Sequence, residues 1–146
     1  MTRIAELIGS QKVIAIAPSE TVRAAAVLMT ESNVGAVPVM ESEQLVGMFT
    51  ERDLMTRVVA QNLDPDNTTV ADVMTKEVVS VGPDEDTERC VSRMRSMKCR
   101  HLPVIADERL VGIVSLRDVL QSDQRQARAQ AALLTDLITN KPEYES

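Results

Sequence analysis

Two short stretches of the chain carry the side chains best suited to chemistry. Thr50, Arg52 and Asp53 close an aliphatic run in GMFTERDL, and Ser115, Arg117 and Asp118 close another in GIVSLRDV, sixty-five residues later. In each, the hydroxyl lies three residues before the carboxylate, and a glycine (Gly47, Gly112) lies three before the hydroxyl. If a helix starts here, the hydroxyl occupies its N-cap and the carboxylate favours the positive end of the helix dipole. Capping accounts for those two groups but not for the arginine and glycine kept in both copies. Free N–H groups at a helix start, a hydroxyl and an arginine suit an anion such as phosphate. A nearby carboxylate can accept both hydroxyls of a ribose. The constellation reads as one for a nucleotide.

The stretches belong to a longer duplication. Residues 18–55 lie over 83–120 without a gap, and eleven of the 38 positions are identical, including Pro18/Pro83, Pro38/Pro103, Gly47/Gly112 and Asp53/Asp118. Chance would give about two to three at ordinary residue frequencies.

The elements that must position these residues follow the same order in each copy. An aliphatic strand (13–17, 78–81) is stopped by Pro18 or by Gly82-Pro83. Val22, Ala25, Ala26 and Met29, and likewise Thr87, Cys90, Val91 and Met94, then mark one face of a helix, with Ser19 and Asp84 as expected N-caps. A hairpin forms around ESEQ or ADER, with Pro38 and Pro103 inside its first strand, where the missing N–H should face an edge or a ligand. A second helix begins at Glu51 or Leu116, with Leu54, Val58 and Val59 as the buried stripe of the first copy. The order is β-α-β-β-α, twice: an α/β (α+β) fold whose repeats are each marginal alone. Residues 1–62 and 63–121 form the two units, and 63–74 is a connector that restarts a short helix at Val70. In 122–146, Ala127, Ala131, Leu134 and Ile138 mark an amphipathic C-terminal helix ending near Asn140, ahead of Pro142. That helix either packs back on the body or pairs with another subunit.

Composition narrows the function classes. A net charge of −6 argues against a general nucleic-acid binder, and one Phe, one Tyr and no Trp leave no stacking platform. No apolar run is long enough to cross a bilayer and the first residues lack a signal-peptide pattern, so a cytoplasmic location is expected. Cys90 and Cys99 lie nine apart without a metal-binding spacing, and Cys90 falls on the buried helix face, which favours inert packing over a redox switch.

The pattern h-P-V-x(5)-L-V-G-h-h-T/S-x-R-D-h, preceded by an aliphatic strand and a Pro-led helix, resembles the cystathionine-β-synthase (CBS) domain. Two in tandem, over about residues 1–121, resemble a Bateman module. The resemblance implies two CBS repeats packed as a pseudo-two-fold pair, usually dimerised, with clefts for adenine nucleotides such as AMP, ADP or ATP and sometimes S-adenosylmethionine or NADH. It places Asp53 and Asp118 on ribose hydroxyls, and Thr50 and Ser115 on ribose or phosphate, beside Arg52 and Arg117. Around the base and phosphates it places Gly35, Ala36, Val37 and Pro38 in the first copy, and Arg100, His101, Leu102 and Pro103 in the second. Lys12, Val13 and Ile14, and Thr75, Val78 and Val79, would clamp the adenine. The second copy is preferred, because Arg100 and His101 stand where the first has Gly35 and Ala36, and Arg93, Arg95 and Lys98 add positive charge nearby.

The leading expectation is a regulatory ligand-binding module without a required cofactor or metal. It would form a homodimer and signal to a separate effector protein, with no membrane or nucleic-acid partner. A ligand-free dimerisation scaffold is the alternative. No nucleophile-base pair or metal constellation stands out, so an enzyme is not expected, and His101, the one histidine, lacks such partners in sequence.

Overall fold

In the computed structural model, which describes residues 2–139, the first long helix of each repeat starts two residues later than its proline suggests. Thr21 caps α2 (Val22–Ser32) by accepting from the Ala24 N–H at 3.1 Å, and Asp86 caps α5 (Thr87–Met97) by accepting from Arg89 at 2.8 Å. Ser19 and Asp84 are therefore not the caps. The helical stripe does face inward: Val22, Ala25 and Met29, and Thr87, Cys90 and Met94, are buried. Both helices stop at a left-handed residue, Asn33 or Lys98.

Each repeat then folds back in an antiparallel hairpin, β1 (Ala36–Glu41) with β2 (Gln44–Thr50), and β3 (His101–Ala106) with β4 (Arg109–Ser115). Ser42-Glu43 and Asp107-Glu108 make the turns, all four at positive φ, as tight two-residue hairpins require. The expected leading strands shrink to single parallel bridges, Ile16 to Val39 and Val81 to Val104. Ile16 and Val81 donate to the Pro38 and Pro103 carbonyls at 3.0 Å, so each proline sits on the edge facing that short bridge.

The mixed α+β architecture is thus two small antiparallel sheets with flanking helices, repeated. α1 (Ile4–Ile8) and α4 (Val70–Val73) exchange the ends of the repeats. Val70 donates to the Glu20 carbonyl and Ala71 to Pro18, while Ile4 donates to Glu85 and Ala5 to Pro83. α4 thereby closes the first core, around Phe49, Val37 and Val58, and α1 closes the second, around Leu102, Val104 and Val114. The second core takes its helix from the start of the chain and the first from the connector that follows it, and β2 packs against β4 between them.

The second helices diverge. α3 (Glu51–Asp53) runs into wide turns over Leu54–Val59, where Ala60 and Leu63 donate to carbonyls five residues back. Val58 is buried, but Val59 is exposed, contrary to the expected stripe, because these turns rotate it away from the core. α5's partner α6 (Leu116–Thr139) is one continuous helix, so the C-terminal helix is an extension of the second repeat and not a separate element. Only Val119 and Ser122 of it are buried. From Asp123 to Thr139 it is exposed, its hydrogen bond to the body being that of the Gln126 amide, which donates to the Thr2 hydroxyl. Asn140 and Pro142 lie outside the described residues.

Candidate functional site

Both turns fold as capping boxes. Thr50 Oγ1 accepts from the Asp53 N–H at 3.1 Å while Asp53 Oδ2 accepts from the Thr50 N–H at 3.0 Å. Ser115 and Asp118 repeat this at 3.1 and 3.0 Å. The next N–H, of Glu51 or Leu116, goes to the carbonyl of Gly35 or Arg100, at 2.9 or 2.8 Å. Two of the first three helical N–H groups are therefore committed inside the protein, which leaves less of an anion cradle than a bare helix start. What remains for a ligand is the hydroxyl hydrogen, the outer carboxylate oxygen and nearby cations.

The same bonds bring Gly35, Thr50 and Asp53 together, and Arg100, Ser115 and Asp118. Ala36 pairs with Thr50 across its hairpin and His101 with Ser115. Arg52, Arg100 and Arg117 are exposed at these corners. Val37 and Leu102 point into the two cores, and Pro38 and Pro103 are buried, so these four shape the wall from behind. Lys12 is exposed, and Val13, Ile14, Val78 and Val79 are half-buried.

The carboxylates differ in their surroundings. Asp53 is 5% exposed. The Thr75 hydroxyl donates to its two oxygens at 3.1 and 3.2 Å, and the Arg57 guanidinium lies 3.6 Å away while also donating to the Val73 and Met74 carbonyls. The structure thus places Thr75 against Asp53, not beside Asp118. Asp118 is half-buried, and among the described residues its Oδ1 accepts no hydrogen bond.

Gly47 and Gly112 have a plainer role than holding an anion. A Cβ on Gly47 would come within 2.6 Å of Met74 Sδ and 2.8 Å of the Thr75 carbonyl, and one on Gly112 within 2.9 Å of Gln11 Oε1. Thr75 pairs with Met48 through both backbone bonds, whereas the Gln11 side-chain amide supplies the two bonds to Ile113. The glycines admit those close approaches, a requirement the repeat alone does not disclose.

Charge around His101 is mixed. Burial pushes its pKa down, Glu51 and Asp118 push it up, and Arg100 pushes it down, with a net value below the ordinary one. Arg93 does not face the cleft, since it pairs with Glu85 and donates to the Ser80 carbonyl at 2.9 Å. Burial works to raise the Glu85 pKa, but the Gly82 N–H and Arg93 outweigh it and hold the carboxyl below its usual range. Cys90 and Cys99 are free, and burial pushes the Cys90 thiol up to about 11.

A family model described as CBS domain matches residues 4–60 and again 70–124. The chain is 38% identical over 122 residues to the CBS domain-containing protein YhcV of Bacillus subtilis, covering 84% of this chain and 86% of that one. It is similar to the crystal structure of the CBS domain NE2398, with a TM-score of 0.79, 31% identity and coverage of 84% and 97%. It is also similar to the CBS domain pair of MJ0100, solved in complex with 5′-methylthioadenosine and S-adenosyl-L-methionine. There the TM-score is 0.77 and the identity 25%, with coverage of 86% and 98%. No helix among the described residues is long and apolar enough to cross a membrane.

Proposed function

Because the chain belongs to the CBS-domain family and carries two copies in tandem, we propose that it is a non-catalytic regulatory module that binds an adenine nucleotide of the AMP, ADP or ATP type and passes its occupancy to a separate cytoplasmic partner protein. The observation that carries the reading is the Ser115-Asp118 capping box with its outer oxygen free. Asp118 Oδ1 can accept from a ribose diol, and the Ser115 hydroxyl keeps a hydrogen to donate. Arg100 and Arg117, exposed at the same corner, supply the cations that phosphates need. The ligands of the MJ0100 pair both carry an adenosine, the part this corner would recognise. Val78 and Val79 supply apolar surface for a base in a protein without aromatic platforms.

A homodimer is part of the same proposal, supported by the uncovered apolar face of α6. Calorimetric titration of the full chain with AMP, ADP, ATP, S-adenosylmethionine and NADH tests the ligand. At least one should bind, and Asp118→Ala should weaken it by about tenfold or more, as expected when a charge-assisted hydrogen bond is lost. Absence of heat from all five ends the nucleotide reading.

A further inference from the structure

The two turns differ at positions that the fold makes equivalent. We infer that Asp53 is a latch that fastens the segment leading into the second repeat, and that a nucleoside binds only at the Asp118 cleft, one per chain. The second half of this inference rests on the nucleotide reading above. Met74 faces Gly47 as Ile8 faces Gly112, but the two bonds that the Thr75 backbone makes to Met48 are made to Ile113 by the Gln11 side-chain amide. α1 is one residue longer than α4: their first N–H groups bond alike at Ile4 and Val70, while their closing bonds are made by Gly9 and Met74.

Among the described residues no hydroxyl donates to Asp118 as Thr75 does to Asp53. Four residues after each aspartate, Arg57 in the first copy is replaced by Ser122 in the second, so Asp118 lacks the guanidinium as well. A carboxylate has room for about four donors. Asp53 meets the Thr50 N–H, the Thr75 hydroxyl on both oxygens and Arg57, while 5% exposed. A ribose diol could reach it only by expelling Thr75, exchanging hydrogen bonds already made for new ones with little net gain. At Asp118 the diol would meet an oxygen that accepts no hydrogen bond among the described residues.

Arg57 extends the latch. It donates to the last carbonyls of α4, Val73 and Met74, so Asp53, Thr75 and Arg57 together hold the borrowed helix on the first core.

Two measurements on the full chain test this. Thermal melting should show Asp53→Asn and Thr75→Val each lowering Tm by about 4 °C or more, with the double variant little worse than either. Asp118→Asn should cost less than about 2 °C. Equal losses for the two aspartate variants, or additive losses for Asp53→Asn and Thr75→Val, overturn the latch whether or not any nucleotide binds. Calorimetry with AMP and with S-adenosylmethionine should saturate at one ligand per chain and weaken about tenfold in Asp118→Asn but less than about threefold in Asp53→Asn. Two ligands per chain, or equal weakening, overturn the single cleft while leaving the nucleotide reading intact. If neither probe binds, that reading falls with the single cleft, and the melting result alone decides the latch.

Discussion

His101 sits between opposing influences, and its charge state should be felt in stability. Burial holds its folded-state pKa below the ordinary 6.5, against the pull of Glu51 and Asp118. The unfolded chain therefore takes up the proton first as pH falls. His101's contribution is present above about 6.5 and lost as pH drops through the folded value. Melting the protein at pH about 7.5 and about 5.5 should show a larger fall in Tm for the native chain than for His101→Gln, which removes the titration. An equal fall in both would mean that His101 is as easily protonated in the fold as out of it. Among individual residues, the hydroxyl, arginine and aspartate of each turn were legible from sequence, because a capping box is a local motif. The Thr75 contact to Asp53 was not, since it joins residues twenty-two apart, beyond the reach of a local motif.

At the scale of elements, the hairpins and helices were readable from alternation and helical spacing, and the starts at Glu51 and Leu116 coincide with the observed helices. The leading strands were overread. VIAIA and VVSV carry the aliphatic residues of a strand, yet only Ile16 and Val81 pair, each with one partner. The caps slipped by two residues because Thr21 and Asp86 compete with Ser19 and Asp84 for the same role, and composition does not choose between them. α6 is the element with an unmet need. Leu133, Leu134, Leu137 and Ile138 are 60–74% exposed near its end, on a helix whose uncovered part is about 25 Å long. Pairing of two such helices is the expected cover. Light scattering behind size exclusion should give a dimer for the native chain and a monomer for Leu134→Glu with Ile138→Glu, with an unchanged helical spectrum. A native monomer, or a dimer indifferent to these substitutions, contradicts pairing through α6.

For the whole molecule, duplication predicted two alike units, and the structure makes them interdependent. α1 completes the core of the second repeat and α4, from the connector, that of the first, so neither repeat has its own full set of contacts. That exchange could not be read from local pattern, because nothing in IAELI or VADV says which core will bury Ile4 or Val70. It also sets the difference between the two turns: the segment after α4 brings Thr75 to Asp53, whereas the segment after α1 meets Ile113 through the Gln11 side chain. The proposed function places an adenosine-bearing ligand at the second turn. The most direct measurement is the amide NMR spectrum of the isotope-labelled full chain during titration with AMP. Saturable shifts at Arg100, His101, Ser115 and Asp118, with much smaller ones at Gly35, Thr50 and Asp53, are the expected result. Shifts centred on the first turn, or none at either turn at millimolar AMP, would contradict it.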